Sequence, residues 1–183
     1  MPSPIGHALG GIAAGAAVSR RAGWGSLLCF AMLGAMPDAD FLLPIQHRGP
    51  THSLGSAVLV FLLAWPTLTW RRPAEWQGAS ALRIALAIAA AWGSHAVLDW
   101  LGADSSTPRG VMAFWPLVTS YYVSGLDLFH NISRRYWLSD FWRVNAVAVI
   151  REILLLGPLA FISASAGRPV RPYRRRGSVP PRG

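Results

Sequence analysis

Five apolar runs alternate with short polar breaks along the chain, at roughly 5–19, 24–45, 53–70, 80–101 and 144–163. A helix needs about 20 residues, each rising about 1.5 Å, to cross the hydrocarbon of a bilayer. The third, fourth and fifth runs approach or reach that length and are expected to span. The first, GHALGGIAAGAAV, is shorter, and Gly6, Gly10, Gly11 and Gly15 would let a neighbouring helix come close; it reads as a packed, half-buried helix. Pro37 interrupts the second. Proline disfavours helical geometry at the residue before it, so this run should end or kink at Met36. Between the fourth and fifth runs, LFHNISRRYWLSDFWR mixes aromatics with arginines, which suits a helix lying at the headgroup level. The final 16 residues, RPVRPYRRRGSVPPRG, have the composition of a disordered tail. The expected fold class is therefore all-α. One polytopic membrane bundle of about five helices should occupy 1–166, followed by a basic tail over 167–183.

Composition agrees and narrows the class. Of 183 residues, 52% are hydrophobic and 14% charged, whereas soluble domains carry about 25% charged residues. A multi-pass protein of the bacterial cytoplasmic (inner) membrane, surrounded by membrane lipids, is the expected reading. The net charge of +9 comes from arginine alone, because the chain has no lysine. Much of it lies in the tail, where a cytoplasmic membrane anchor explains it with fewer assumptions than nucleic-acid binding; no specific nucleic-acid partner is expected. A regulatory partner for that tail is a weaker reading, since six arginines among Pro and Gly specify little. The single Cys29 excludes an intrachain disulfide and a cysteine metal site. The N-terminus lacks the charged region of a signal peptide, so insertion is expected to use the internal spans.

Arginine placement gives a topology. Arg20–Arg21, Arg71–Arg72 and the tail follow alternate runs. If all three are cytoplasmic, five crossings put the N-terminus outside and the C-terminus inside. Arg134, Arg135 and Arg143 then fall on the outer side, against the rule. The rarest polar residues also sort by side. His7 opens the first run, Asp38 and Asp40 (GAMPDADF) close the second, His47 and His52 (HRGPTHSL) precede the third, and His95 and Asp99 (GSHAVLDW) close the fourth. All reach the outer end. Each has a plainer role alone, as a cap, a loop residue or a helical pair, but four of five histidines on one side suggest a shared polar site.

His95 and Asp99, four apart, share one helix face and can reach one ion or a pair. Imidazole and carboxylate without thiolate suit a divalent metal: zinc first, manganese or iron as alternatives. Carboxylates near a bilayer are costly and usually mark function, and a cation would offset that cost.

These residues carry a resemblance. GH at 6–7, PDxD at 37–40, HRGPTHSL at 47–54, HxxxD at 95–99 and TPRGVMAFWP at 107–116 stand in the order seen in the YdjM-type family, and HRGxTHS is the most distinctive of them. That family is described as inner-membrane, metal-dependent hydrolases linked by name to LexA. More distantly, the pattern is similar to zinc-dependent phospholipases C and related nucleases, helical enzymes in which His and Asp hold a metal cluster. The chain departs from the family by carrying LGADSS before TPRG, so Asp104 is either an added ligand or loop.

The resemblance implies a membrane-bound metal-dependent hydrolase. His7, one aspartate of PDAD (assigned to Asp38), His52, His95 and Asp99 would hold the metal. The other aspartate, Asp40, would orient a metal-bound water or act as general base, and Arg48 would hold a phosphate oxygen. Thr51 and Ser53 would support ligands by hydrogen bonds. An outer-face site with aromatics at headgroup level favours a lipid or lipid-linked phosphoester. The rival is a non-catalytic metal-binding membrane protein or ion carrier, although a carrier usually keeps its site near the midplane.

Overall fold

The computed structural model describes residues 1–21, 23–42 and 47–167. The described residues form five α-helices and no strand: α1 Pro4–Ser19, α2 Trp24–Ala35, α3 Leu54–Trp70, α4 Ala81–Leu101 and α5 Phe141–Ser165. Three hydrophilic side chains start helices where the sequence supplies them. Ser3, Ser53 and Ser80 each accept a hydrogen bond from a backbone N–H of the first turn, an N-cap worth about 1 kcal/mol. Helical segments Trp24–Leu42, Ala81–Leu101 and Phe141–Ser165 are long and apolar enough to cross a membrane. The third run differs from expectation: α3 has 17 residues, just short of that length, while the second run, interrupted by Pro37, qualifies.

Pro37 acts less abruptly than its sequence suggests. The α-helix ends at Ala35, but Met36 keeps helical angles and the chain tightens into a 3₁₀ helix, Met36–Leu42. The narrower winding extends α2 far enough to deliver Asp38 and Asp40 to the bundle. A second departure lies at 102–140, which holds no helix among the described residues. The stretch expected to lie flat as a helix is instead pinned in irregular form. Asn145 of α5 accepts from the Ser133 N–H (2.7 Å) and donates to its carbonyl (3.0 Å), and Phe129 pairs with Gly102. The basic tail lies outside the described residues from 168 onward.

The bundle is packed with its small residues inward. Buried positions of α4 include Ala85, Ala87, Ala91, Gly93 and Ala96, while Leu62, Leu63, Leu154, Phe161 and Ile162 of α3 and α5 point outward. In water that distribution would strand apolar surface; in lipid there is nothing to gain by hiding leucine, and close backbone approach does the packing. The closest approach is between α1 and α2. A side chain on Gly34 would sit 2.3 Å from the His7 carbonyl oxygen, and one on Gly11 would sit 2.2 Å from the Phe30 carbonyl. Only glycine permits this crossing.

The helices run up and down. At one end Trp76 donates to Ser26 (2.8 Å) and Arg21 to the Gln77 carbonyl (3.1 Å). At the other lie His7, Asp38, His52, Asp99 and the 102–140 segment. Arg20–Arg21 and Arg71–Arg72 thus share the end opposite the histidines. The expected orientation in the membrane follows: a cysteine at Gly49 should react with an impermeant thiol reagent from outside intact spheroplasts. Labelling confined to inverted vesicles would reverse the topology.

Candidate metal centre

Four elements bring the site together. His7 comes from the first turns of α1, Asp38 and Asp40 from the 3₁₀ extension of α2, His52 from a short 3₁₀ turn (Pro50–His52) before α3, and His95 and Asp99 from the last turns of α4. His7, His52, His95 and Asp99 are at most 1% exposed. Asp99 lies between two imidazoles, with Oδ1 3.3 Å from His7 Nε2 and Oδ2 3.2 Å from His95 Nε2. His52 Nε2 stands 3.3 Å from Asp38 Oδ1 and 3.7 Å from Asp99 Oδ2. The same Asp38 oxygen is 3.6 Å from His95 Nε2. The rings of His7 and His95 stack at 3.7 Å.

The backbone sets the chemistry of His95. Its Nδ1 donates to the Gly34 carbonyl at 2.8 Å, so the proton resides there and Nε2 presents a lone pair to the centre. The glycine that permits the α1–α2 crossing therefore also orients a histidine of α4. His95 Nε2 and both oxygens of Asp99 are buried with no hydrogen-bond partner among the described residues. Lone pairs facing one another in a dry interior are costly. A cation would resolve the conflict, and the nitrogen and oxygen donors are those a divalent transition metal takes. His7, His95 and Asp99 form one group able to hold an ion, and Asp38, His47 and His52 a second beside it.

The remaining candidates support this centre. Asp40, buried, accepts from Thr51 Oγ1 (2.9 Å) and pairs with His47 Nδ1 (2.7 Å), with His52 Nδ1 3.4 Å from its other oxygen. It lies behind His52, away from the opening. Burial lowers the pKa of His47, and Asp40 only partly restores it, so the ring is neutral near pH 7 and free to ligate. Thr51 stands 3.0 Å from His52 Nδ1. Ser53 caps α3 and donates to the Pro50 carbonyl (2.6 Å), holding the turn that aims His52. His130 stands apart, against Arg151 on the surface.

Arg48 takes a different place from its neighbours. Its guanidinium binds Asp104 Oδ2 at 2.7 Å and also contacts Ser106, while its backbone occupies the left-handed region (φ 67°). Burial pushes Asp104 up, but hydrogen bonds from the Gly110 N–H and Ser106, with the charge of Arg48, hold its carboxyl below the ordinary range. The LGADSS segment is therefore a latch. It ties HRGPTHSL to TPRGVMAFWP, whose Ala113 carbonyl accepts the Leu54 N–H at 2.9 Å and whose Trp115 carbonyl leaves no room for a side chain at Gly55. A depressed folded pKa means the latch stabilises above the unfolded carboxylate's titration and is lost as pH falls through the folded value. Asp104→Asn should lower thermal stability by about 1–3 kcal/mol at pH 7, and the difference from wild type should vanish in acid.

One residue escaped the sequence reading. Glu152 of α5 is fully buried and accepts the Ser3 N–H at 2.7 Å together with the Ser3 hydroxyl. It anchors the start of α1, one turn from His7. A lone carboxylate within an apolar span is the signal that could have found it. Glu152→Ala should destabilise the detergent-solubilised protein by about 2–3 kcal/mol, and Glu152→Gln by about 1. Equal melting temperatures for all three proteins would remove Glu152 from this role.

With the geometry in place, comparison with known proteins decides the family. The family model described as YdjM inner membrane protein matches residues 1–168. The chain belongs to the YdjM family. It is accordingly an inner membrane protein, and every residue of the buried His/Asp centre lies inside the matched region. No curated protein and no solved structure matches the chain.

Proposed function

We propose that the protein is a metal-dependent hydrolase acting on a phosphoester at the membrane surface. One observation carries this reading: the buried donors of Asp99 and His7 open, with Asp38, into a cavity of about 880 Å³ at the ends of the helices. A site built only to carry an ion needs no such chamber beside it, and most small-molecule sites are concavities of this size.

A divalent ion, zinc by its donor set, would supply Lewis acidity and a water acidified to about neutral pH. His7, His52, His95, Asp38 and Asp99 would hold it, with His47 available at the second group. The Gly34 carbonyl fixes the Nδ1–H tautomer of His95, which leaves Nε2 as its ligating atom. Asp40 has both oxygens engaged by His47, Thr51 and His52, so it orients those rings. Asp38 is the carboxylate with an open edge, its side chain 26% exposed, and can accept a proton from water on the cavity side. Arg48 lines the cavity with a buried Nε that has no partner among the described residues, so it can meet a phosphate oxygen while Nη1 stays on Asp104.

The test uses detergent-purified protein loaded with zinc or manganese and a panel of phosphomonoesters, phosphodiesters and phospholipids. Turnover should be abolished by chelation, restored by metal and lost in His52→Ala. Metal-loaded protein inert toward the whole panel, or turnover indifferent to chelator, would overturn the proposal.

A further inference from the structure

Arg134 and Arg135 break the charge rule that otherwise orders the chain, since they sit at the end opposite Arg20–Arg21 and Arg71–Arg72. Their position explains why. Both line the same cavity as His7, Asp38 and Asp99. The Arg134 guanidinium lies over the Phe41 ring, 4.2 Å from its centroid, and Phe41 directly follows the PDAD aspartates. The backbone beneath is fixed, because Asn145 of α5 holds both backbone groups of Ser133. Neither guanidinium has a carboxylate partner among the described residues, and the undescribed segments contain no aspartate or glutamate. Asp38, Asp99 and Asp140 share the cavity lining without pairing to them.

We propose that Arg134 and Arg135 form an anion clamp at the cavity rim that binds the phosphate group of the substrate and sets its specificity. The proposal rests on reading the cavity as a substrate chamber. Guanidinium is the side chain best matched to phosphate, offering paired donors in a planar fork and a permanent charge. Arg48 offers less at the rim, since its Nη1 is held by Asp104 and Ser106 and its Nε is buried. With a cation neutralising Asp38 and Asp99, the rim is left net positive, a chamber that selects anions. Trp137 and Leu138, which follow the pair, are exposed and suit the headgroup region, placing the clamp at the depth of a lipid phosphate.

The shared chemistry is a phosphate group, borne by a lipid or by a soluble molecule, and the experiment separates the two. Full-length, metal-loaded protein is titrated with nanodiscs or micelles containing phosphatidic acid or phosphatidylcholine, and separately with inorganic phosphate, and binding is read apart from turnover. Binding should favour phosphatidic acid over phosphatidylcholine. Arg134→Gln with Arg135→Gln should weaken it about ten-fold or more, as expected for losing charge-assisted contacts. Arg71→Gln with Arg72→Gln, at the far end, should leave it unchanged. Phosphate competing as well as phosphatidic acid would identify a soluble source for the same clamp. A double variant that binds like wild type, with an unchanged melting temperature, would overturn the proposal, as would equal loss in the far-end variant. Because binding is read apart from turnover, an inert protein with arginine-dependent binding would sink the hydrolase reading and leave the clamp standing.

Discussion

Asp99→Asn should weaken metal binding by more than about 100-fold and abolish any metal-dependent activity. Changes to groups that merely support ligands typically cost about 10–100-fold, and Asp99 faces the centre directly. Its two oxygens stand 3.3 and 3.2 Å from His7 and His95, with His52 at 3.7 Å, and neither has a hydrogen-bond partner among the described residues. The amide keeps the volume, so packing should survive, but it removes the charge and turns one lone-pair donor into an N–H pointing at the ion. Asp104→Asn is the matched control, since that carboxylate serves Arg48 and the Gly110 N–H. It should cost stability while metal affinity changes by less than about ten-fold. Competition titration with a chromophoric chelator measures both. If Asp104→Asn empties the site while Asp99→Asn leaves it loaded, the ligand set is misassigned.

Gly34→Ala should damage the helix crossing and the metal site together. The added carbon would sit 2.3 Å from the His7 carbonyl and 2.8 Å from Gly11 Cα, both backbone atoms of α1 that no rotamer change can move aside. Overpacking of this kind costs about 1–3 kcal/mol. Relief requires α1 and α2 to separate, which shifts His7 and also moves the Gly34 carbonyl that orients His95. Stability and metal affinity should therefore fall together. Gly157→Ala in α5 provides the comparison: its new carbon would lie 3.7 Å from Ile153 Cγ2, an ordinary contact, so the protein should be as stable as wild type or slightly more so. Two variants with the same melting temperature would show that the α1–α2 crossing tolerates expansion.

Much of this was legible in the chain because hydrophobic run length and arginine placement are direct physical constraints in a membrane. The runs at 5–19, 80–101 and 144–163 correspond closely to α1, α4 and α5. The convergence of His7, Asp38, His52, His95 and Asp99 follows from run order alone, since alternating helices must return alternate loops to the same end. Less was visible where backbone geometry decides. Pro37 does stop the α-helix, but nothing local announces that a 3₁₀ segment will carry both aspartates onward. The aromatic and arginine mixture at 128–143 has a helical composition, yet Asn145 and Phe129 tie it down by long-range contacts that periodicity does not encode. Nothing in the sequence announced that Arg48 would meet Asp104, 56 residues away.

The account stands or falls on the cation that we propose the buried donors hold. Elemental analysis of the detergent-purified full-length chain, after exhaustive dialysis against metal-free buffer, measures it. The account predicts at least about one equivalent of zinc, manganese or iron per chain in wild type, and near zero in His95→Ala purified alongside it. Wild-type protein that is folded, monodisperse and metal-free, and that takes up no divalent ion when these are supplied, would contradict it.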